Sequence, residues 1–218
     1  MHKFRLLAAA SVLIGSSLLA QAPGLRLFSP LGPSVTQLID GQGTIVHTWP
    51  DQFTVSAHME ADGTLLRGMV APGLTLPGTT GRLQRMRFDG TVTWDLIVHD
   101  AARFMHHDIE PMPNGNVLVI VVDRQTPTDA IANGRDPATV TGGVWFPEAI
   151  LEIQQTGPTT GQVVWEWHQM DHIVQDFDNT KPNYGVVGAH PELMDINFPS
   201  QVVSNGAVSY THLTLPTN

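Results

Sequence analysis

The 218-residue chain has no cysteine, so disulfides and thiolate chemistry are both excluded. It is also short of positive charge, with 11 Lys and Arg against 20 Asp and Glu. That balance argues against nucleic acid and anionic membranes as partners. It carries no Ser nucleophile elbow, no Gly-rich phosphate loop, no nucleotide fingerprint and no HExxH zinc pattern. Amphipathic helical periodicity is lacking as well, and after residue 22 nothing resembles a membrane helix. Stability has to come from packed sheets: Val, Ile, Leu and Trp sit between frequent Gly and Pro, which suits short strands joined by turns.

The first 22 residues read as a secretory signal: a basic start (His2, Lys3, Arg5), an apolar run from Leu6 to Leu19, and small residues at Ala20 and Ala22. The expected location is the periplasm or the exterior. An uncleaved anchor is the competing reading, because Pro23 follows the cleavage point directly. Without Lys3 and Arg5, 9 basic residues face 20 acidic ones, a formal charge of −11 that reads first as solubility.

Internal repetition organises the rest. LIDGQGTIVHTW (38–49), MRFDGTVTWDL (86–96) and LEIQQTGPTTGQVVWEW (151–167) each hold a strand, a turn ending in Gly, and an alternating strand with Trp. Between them SAHMEADGTLLRGMV (56–70) and HHDIEPMPNGNVLVIVV (106–122) form a second hairpin pattern around Asp62-Gly63 and Asn114-Gly115. Two hairpins make four strands, the content of one blade in an array with a period of ~40 to 50 residues. The resulting fold class is all-β: an incomplete β-propeller of about three to four blades over 23–206. A β-sandwich is the alternative. Residues 123–147 read as a loop insertion, and 168–199 as an extended loop. Trp49, Trp94, Trp165 and Trp167 are expected to pack between blades.

A propeller closes with ~4 to 8 blades, so further blades are expected beyond this chain. From Ala207 onward the residues match neither repeat, and VSYTHLTLPTN resembles a translated sequencing adapter. The segment 207–218 is set aside, His212 with it.

The candidate chemistry lies in FMHHDIEPMPNGNVLVI (104–120). His106, His107 and Asp108 precede a tight turn on the strand expected to line a central channel. Neighbouring strand residues point opposite ways, so only one of the two imidazoles is expected to face that channel. Histidine can stabilise a developing anion or pass protons near neutral pH, while Asp108 orients an imidazole or caps the turn. The plain alternative is a buried His bonded to backbone carbonyls. His58 does not pair with His107 as a repeat equivalent: aligning the two turns sets it opposite Glu110, and it reads as structural. His190 in GAHPELMDINFP is a second candidate, for substrate binding, with loop capping as its simpler role. No metal or cofactor site is expected.

LFSPLG (27–32), QLIDGQGTIVHTW (37–49), ADGTLLRG (61–68), FDGTVTWDL (88–96) and HHDIEPMPNGNVLVI (106–120), in that order, resemble bacterial secreted arylsulfotransferases over about residues 25–199. The resemblance implies a six-bladed propeller that moves a sulfuryl group from a phenolic sulfate ester to a phenol through a sulfohistidine, without a nucleotide donor. Aryl sulfates and phenols would be its small-molecule partners. It maps a channel histidine onto His107, with His106 as fallback, and puts the nucleophilic histidine and a sulfate-holding arginine in later blades, so this stretch alone is expected to be inactive. A secreted, non-catalytic propeller that binds a ligand or protein is the competing function.

Overall fold

The computed structural model describes residues 24–30, 35–50, 53–74, 78–140 and 145–198. The expected signal segment and the tail from Ala207 lie outside them. The described residues are nearly all β, with 13 strands and one short helix.

Three antiparallel sheets follow one another along the chain. The first has β1 (Arg26–Phe28), β2 (Val35–Ile39) and β3 (Ile45–Pro50); the second has β4 (Thr54–Met59), β5 (Leu65–Val70), β6 (Gly81–Met86) and β7 (Val92–Ile97). The third has β8 (Arg103–Pro111), β9 (Val117–Asp123), β10 (Glu148–Gln155) and β11 (Gly161–His168). In each, spatial order equals chain order, so strands consecutive in the chain pair antiparallel. All five hairpins read from the repeats are present.

The turns explain themselves chemically. Oδ1 of Asp40, Asp62, Asp89 and Asn114 each accepts a backbone N–H two residues on, at 2.9 to 3.0 Å. Backbone amides of Thr44, Thr64 and Thr91 hold the three carboxyls below the usual carboxylate range. Gly43, Gly63, Gly90 and Gly115 then take φ of 85 to 88°, which a Cβ would oppose.

The repeat extends to register. β2–β3, β6–β7 and β10–β11 each carry one bulge, at Leu38/Ile39, Arg85/Met86 and Glu152/Ile153. Leu66 pairs with His58 and Arg85, as Leu118 pairs with Glu110 and Glu152. Trp94 stands opposite Arg85 and Trp165 opposite Glu152, so the two indoles hold equivalent places.

Burial separates those indoles. Leu38, Trp49, Leu65 and Met86 form the core between the first and second sheets. Leu66, Leu83 and Trp94 pack on Met105, Ile109, Val117, Val119, Val121, Ala149, Leu151 and Ile153 between the second and third. Each buried indole donates into the next sheet: Trp49 Nε1 to Arg87 O at 3.3 Å, and Trp94 Nε1 to Thr160 O at 3.0 Å. Trp165, expected in the core, is 49% exposed, because no sheet covers its face among the described residues. Trp167 is partly buried and stacks on His172.

Arg85 ties the second sheet to the third. It grips both oxygens of Glu60 at 2.9 Å, donates to Gly115 O at 2.7 Å and Gln155 Oε1 at 3.0 Å, and lies 5.1 Å from the Trp94 ring centre.

The insertion and the late loop are more ordered than expected. α1 (Pro127–Ala132) starts from a capping box of Thr126 and Asp129, with Pro at the helix start. Six residues are too few for a visible helical period. The late segment holds 3-10 turns at Gln169–His172 and Val187–Ala189, and a parallel pair of β12 (Ile173–Val174) with β13 (Met194–Asp195). The two regions dock together: Arg135 Nη1 donates to Ile196 O at 2.6 Å, and Asn197 Nδ2 to Gly134 O at 2.9 Å.

Trp94→Ala empties the core between the second and third sheets and is expected to cost about 3 to 5 kcal/mol, against under about 1 kcal/mol for Trp165→Ala. Urea unfolding of the two variants checks the order; equal costs would show that the indoles share one environment.

Candidate functional site

β8 is the first strand and one edge of its sheet, and it packs against β4, the first strand and one edge of the second sheet. Between Met105 (opposite Val121) and Ile109 (opposite Val119) the ladder breaks, so residues 106–108 together face the single position Ile120. These three residues find other partners. Thr79 bridges His106, His107 N donates to Gly78 O at 2.8 Å, and Thr80 N donates to Met105 O at 2.9 Å. The second sheet's β5–β6 connection thus takes over as their backbone partner.

His107 adopts φ of 51°, in the left-handed region. The regular alternation expected to point the two imidazoles opposite ways does not hold across this break, although one ring is still buried and the other exposed. The turned backbone brings both rings to one place, with His106 Nδ1 and His107 Nδ1 2.9 Å apart and the rings edge to face. Gly78 makes room: a Cβ on it would stand 2.5 Å from both Cε1 and Nε2 of His107.

The rings differ in environment. The His106 side chain is only 12% exposed, whereas His107 is exposed. Burial, helped by the charge of His107, pushes the His106 pKa down to about 4. Its Nε2 is sealed from solvent without a hydrogen bond, 3.9 Å from Glu148 Oε1 at the start of β10. Burial pushes the Glu148 carboxyl up, with His107 opposing.

Asp108 accepts from its neighbour Ile109 N at 2.9 Å and lies 3.8 Å from His58 Nε2 on β4. The register confirms that His58 matches Glu110 and not His107, yet the sheets' packing carries His58 to the site. Sequence reasoning missed it, and missed Glu148. Repeat alignment compares positions within sheets and is blind to contacts across them; only the shared place of β4 and β8 as first strands of their sheets offered a cue.

His190 is placed elsewhere in the fold: it ends the Val187–Ala189 turn and bonds Glu192 Oε1 at 3.0 Å, a partner from its own loop. His168 forms a separate ionic cluster, with Nδ1 2.7 Å from Asp123 and Nε2 3.2 Å from Glu166, while Arg103 meets Asp123 at 3.3 Å. Burial alone would lower the His168 pKa, but the bonds to Asp123 and Glu166 outweigh it and raise it. Among the described residues no group of three or more His, Asp or Glu could hold a metal ion, and no helix is long and apolar enough to cross a membrane.

No family model and no curated protein matches the chain. Among solved structures, a protein of unknown function from Bacteroides caccae is similar at a TM-score of 0.40 and 18% identity, over 65% of this chain and 39% of that one. The chain thus matches well under two thirds of that protein's length.

Gly78→Ala meets both a positive φ (77°) and the His107 ring. It is expected to cost more than about 1 kcal/mol and to break the Nδ1 to Nδ1 contact, read by histidine NMR. An unshifted His107 signal would show that Gly78 does not hold the ring.

His106 also links the site to pH. With a folded value near 4 and an ordinary value of 6.5, the unfolded chain binds the extra proton between those limits, so the His106 contribution falls as pH drops through that window. His106→Gln should flatten the pH dependence of unfolding there by up to about 1.4 kcal/mol per pH unit. Parallel pH profiles for variant and wild type would count against a buried neutral ring.

Proposed function

We propose that the three sheets are successive blades of a β-propeller, and that the His58, His106, His107 and Asp108 cluster belongs to an axial site that handles aryl sulfates. The radial reading is supported by three features. Each sheet is a meander in chain order, the first strands of neighbouring sheets meet, and each buried indole bonds a turn of the following sheet. The exposed Trp165 face is what one more sheet would cover.

The observation that carries the site is the bulge at 106–108, which turns two imidazoles toward each other on the first strand of the third sheet. The sulfuryl chemistry comes from the resemblance to bacterial secreted arylsulfotransferases. In that reaction an imidazole lone pair attacks sulfur, the aryl oxygen to sulfur bond breaks, and its electron pair leaves with the phenolate. A second phenol then takes the sulfuryl group from nitrogen and gives up its proton. The resemblance assigns the nucleophile and a sulfate-holding arginine to positions outside 25–199. His107 has the role of donating a hydrogen bond or proton to the sulfate or departing phenolate.

The test is titration of the chain with 4-nitrophenyl sulfate. Binding should move the histidine NMR signals of His107 and His58, and His107→Ala should weaken it about tenfold, the loss of one charge-assisted hydrogen bond. A folded chain that does not bind the ester would overturn the assignment. Binding without transfer to a phenol acceptor, by any form of the protein carrying the further blades, would leave a binding scaffold.

A further inference from the structure

The 2.9 Å contact between His106 Nδ1 and His107 Nδ1 admits one proton, so one ring donates and the other accepts. If His106 donated through Nδ1, its neutral ring would turn the Nε2 lone pair, itself sealed from solvent, toward the half-exposed Glu148 carboxyl group 3.9 Å away. Two electron-rich groups would then face each other without a proton between them. The reverse arrangement gives His106 its hydrogen on Nε2, pointing toward the carboxylate, and leaves Nδ1 to accept from His107.

We infer that Glu148 is a positioning residue that fixes the tautomers of this pair. It holds His106 as the Nε2–H form, so His107 donates through Nδ1 and presents Nε2 as the nitrogen that gains or loses a proton. The remaining charged neighbour, Asp108, is turned to Ile109 N and His58. The low pKa of His106 agrees with a ring that stays neutral. Gly78, having no Cβ, leaves room for the Nε2 edge of the His107 ring.

This tautomer pattern follows from contacts alone, while the use of His107 Nε2 on a sulfate ester rests on the reading proposed above. An isolated histidine favours the Nε2–H form, so a neutral His107 locked as Nδ1–H is a distinctive signature.

Long-range 1H–15N spectra of histidine-labelled wild type near neutral pH provide the test. The expected pattern is the Nε2–H form for His106, together with a proton on Nδ1 of His107 at every pH where the site is folded. Glu148→Gln, whose amide can also donate to Nε2, should lose that exclusivity, and Glu148→Asp should restore it in part. A His106 protonated on Nδ1 in the wild type would overturn the inference whatever the variants do, as would an unchanged pattern in a folded Glu148→Gln. Failure to bind 4-nitrophenyl sulfate, with the tautomers as stated, would strike only the functional reading.

Discussion

Sheet stacked on sheet through a single buried indole is the interaction on which the rest of the molecule depends. Trp94 has no exposed surface, packs in the core between the second and third sheets, and sends its one polar atom to Thr160 O in the β10–β11 turn. Arg85 lies beside it and bonds Glu60, Gly115 and Gln155, so the inter-sheet core is sealed at its polar end by a charge with all its partners close. A cysteine-free chain has no covalent substitute for that seal. Each sheet alone has too little apolar face to be stable; stacking neighbours supplies it.

The site is a by-product of the same stacking. Because β4, β5 and β6 of the second sheet pack against β8, the β5–β6 connection lies beside that strand and can replace β9 as the partner of residues 106–108. That exchange pays for the departure from the ladder, since the backbone hydrogen bond His107 needs comes from Gly78. It permits a left-handed residue in mid-strand, and through it two imidazoles in contact. The resulting pair is asymmetric: one ring is buried against a carboxyl, the other is open.

Much of the fold was legible in the residues. Turn dipeptides such as Asp62-Gly63 and Asn114-Gly115 demand a positive φ at Gly and supply an Asx acceptor, so hairpin positions followed from local chemistry. The site was legible only in part. His106, His107 and Asp108 stood out as adjacent titratable groups, but strand alternation, a rule about regular ladders, separated the two rings. The bulge that joins them arises from contacts with Gly78, Thr79 and Thr80, over 25 residues away in the chain. Trp165 failed for a similar reason: its pattern matches that of Trp94, and only the presence of a covering sheet makes one buried and the other exposed.

By itself, then, the order of residues determined the strands, the turns and the repeat, because those depend on φ preferences and on period-two alternation within a few residues. Tertiary structure alone decided which indole is core, that His58 and Glu148 join the histidine pair, and how its two rings differ. Those outcomes are set by burial and by distances across sheets, quantities that no local pattern in the chain encodes.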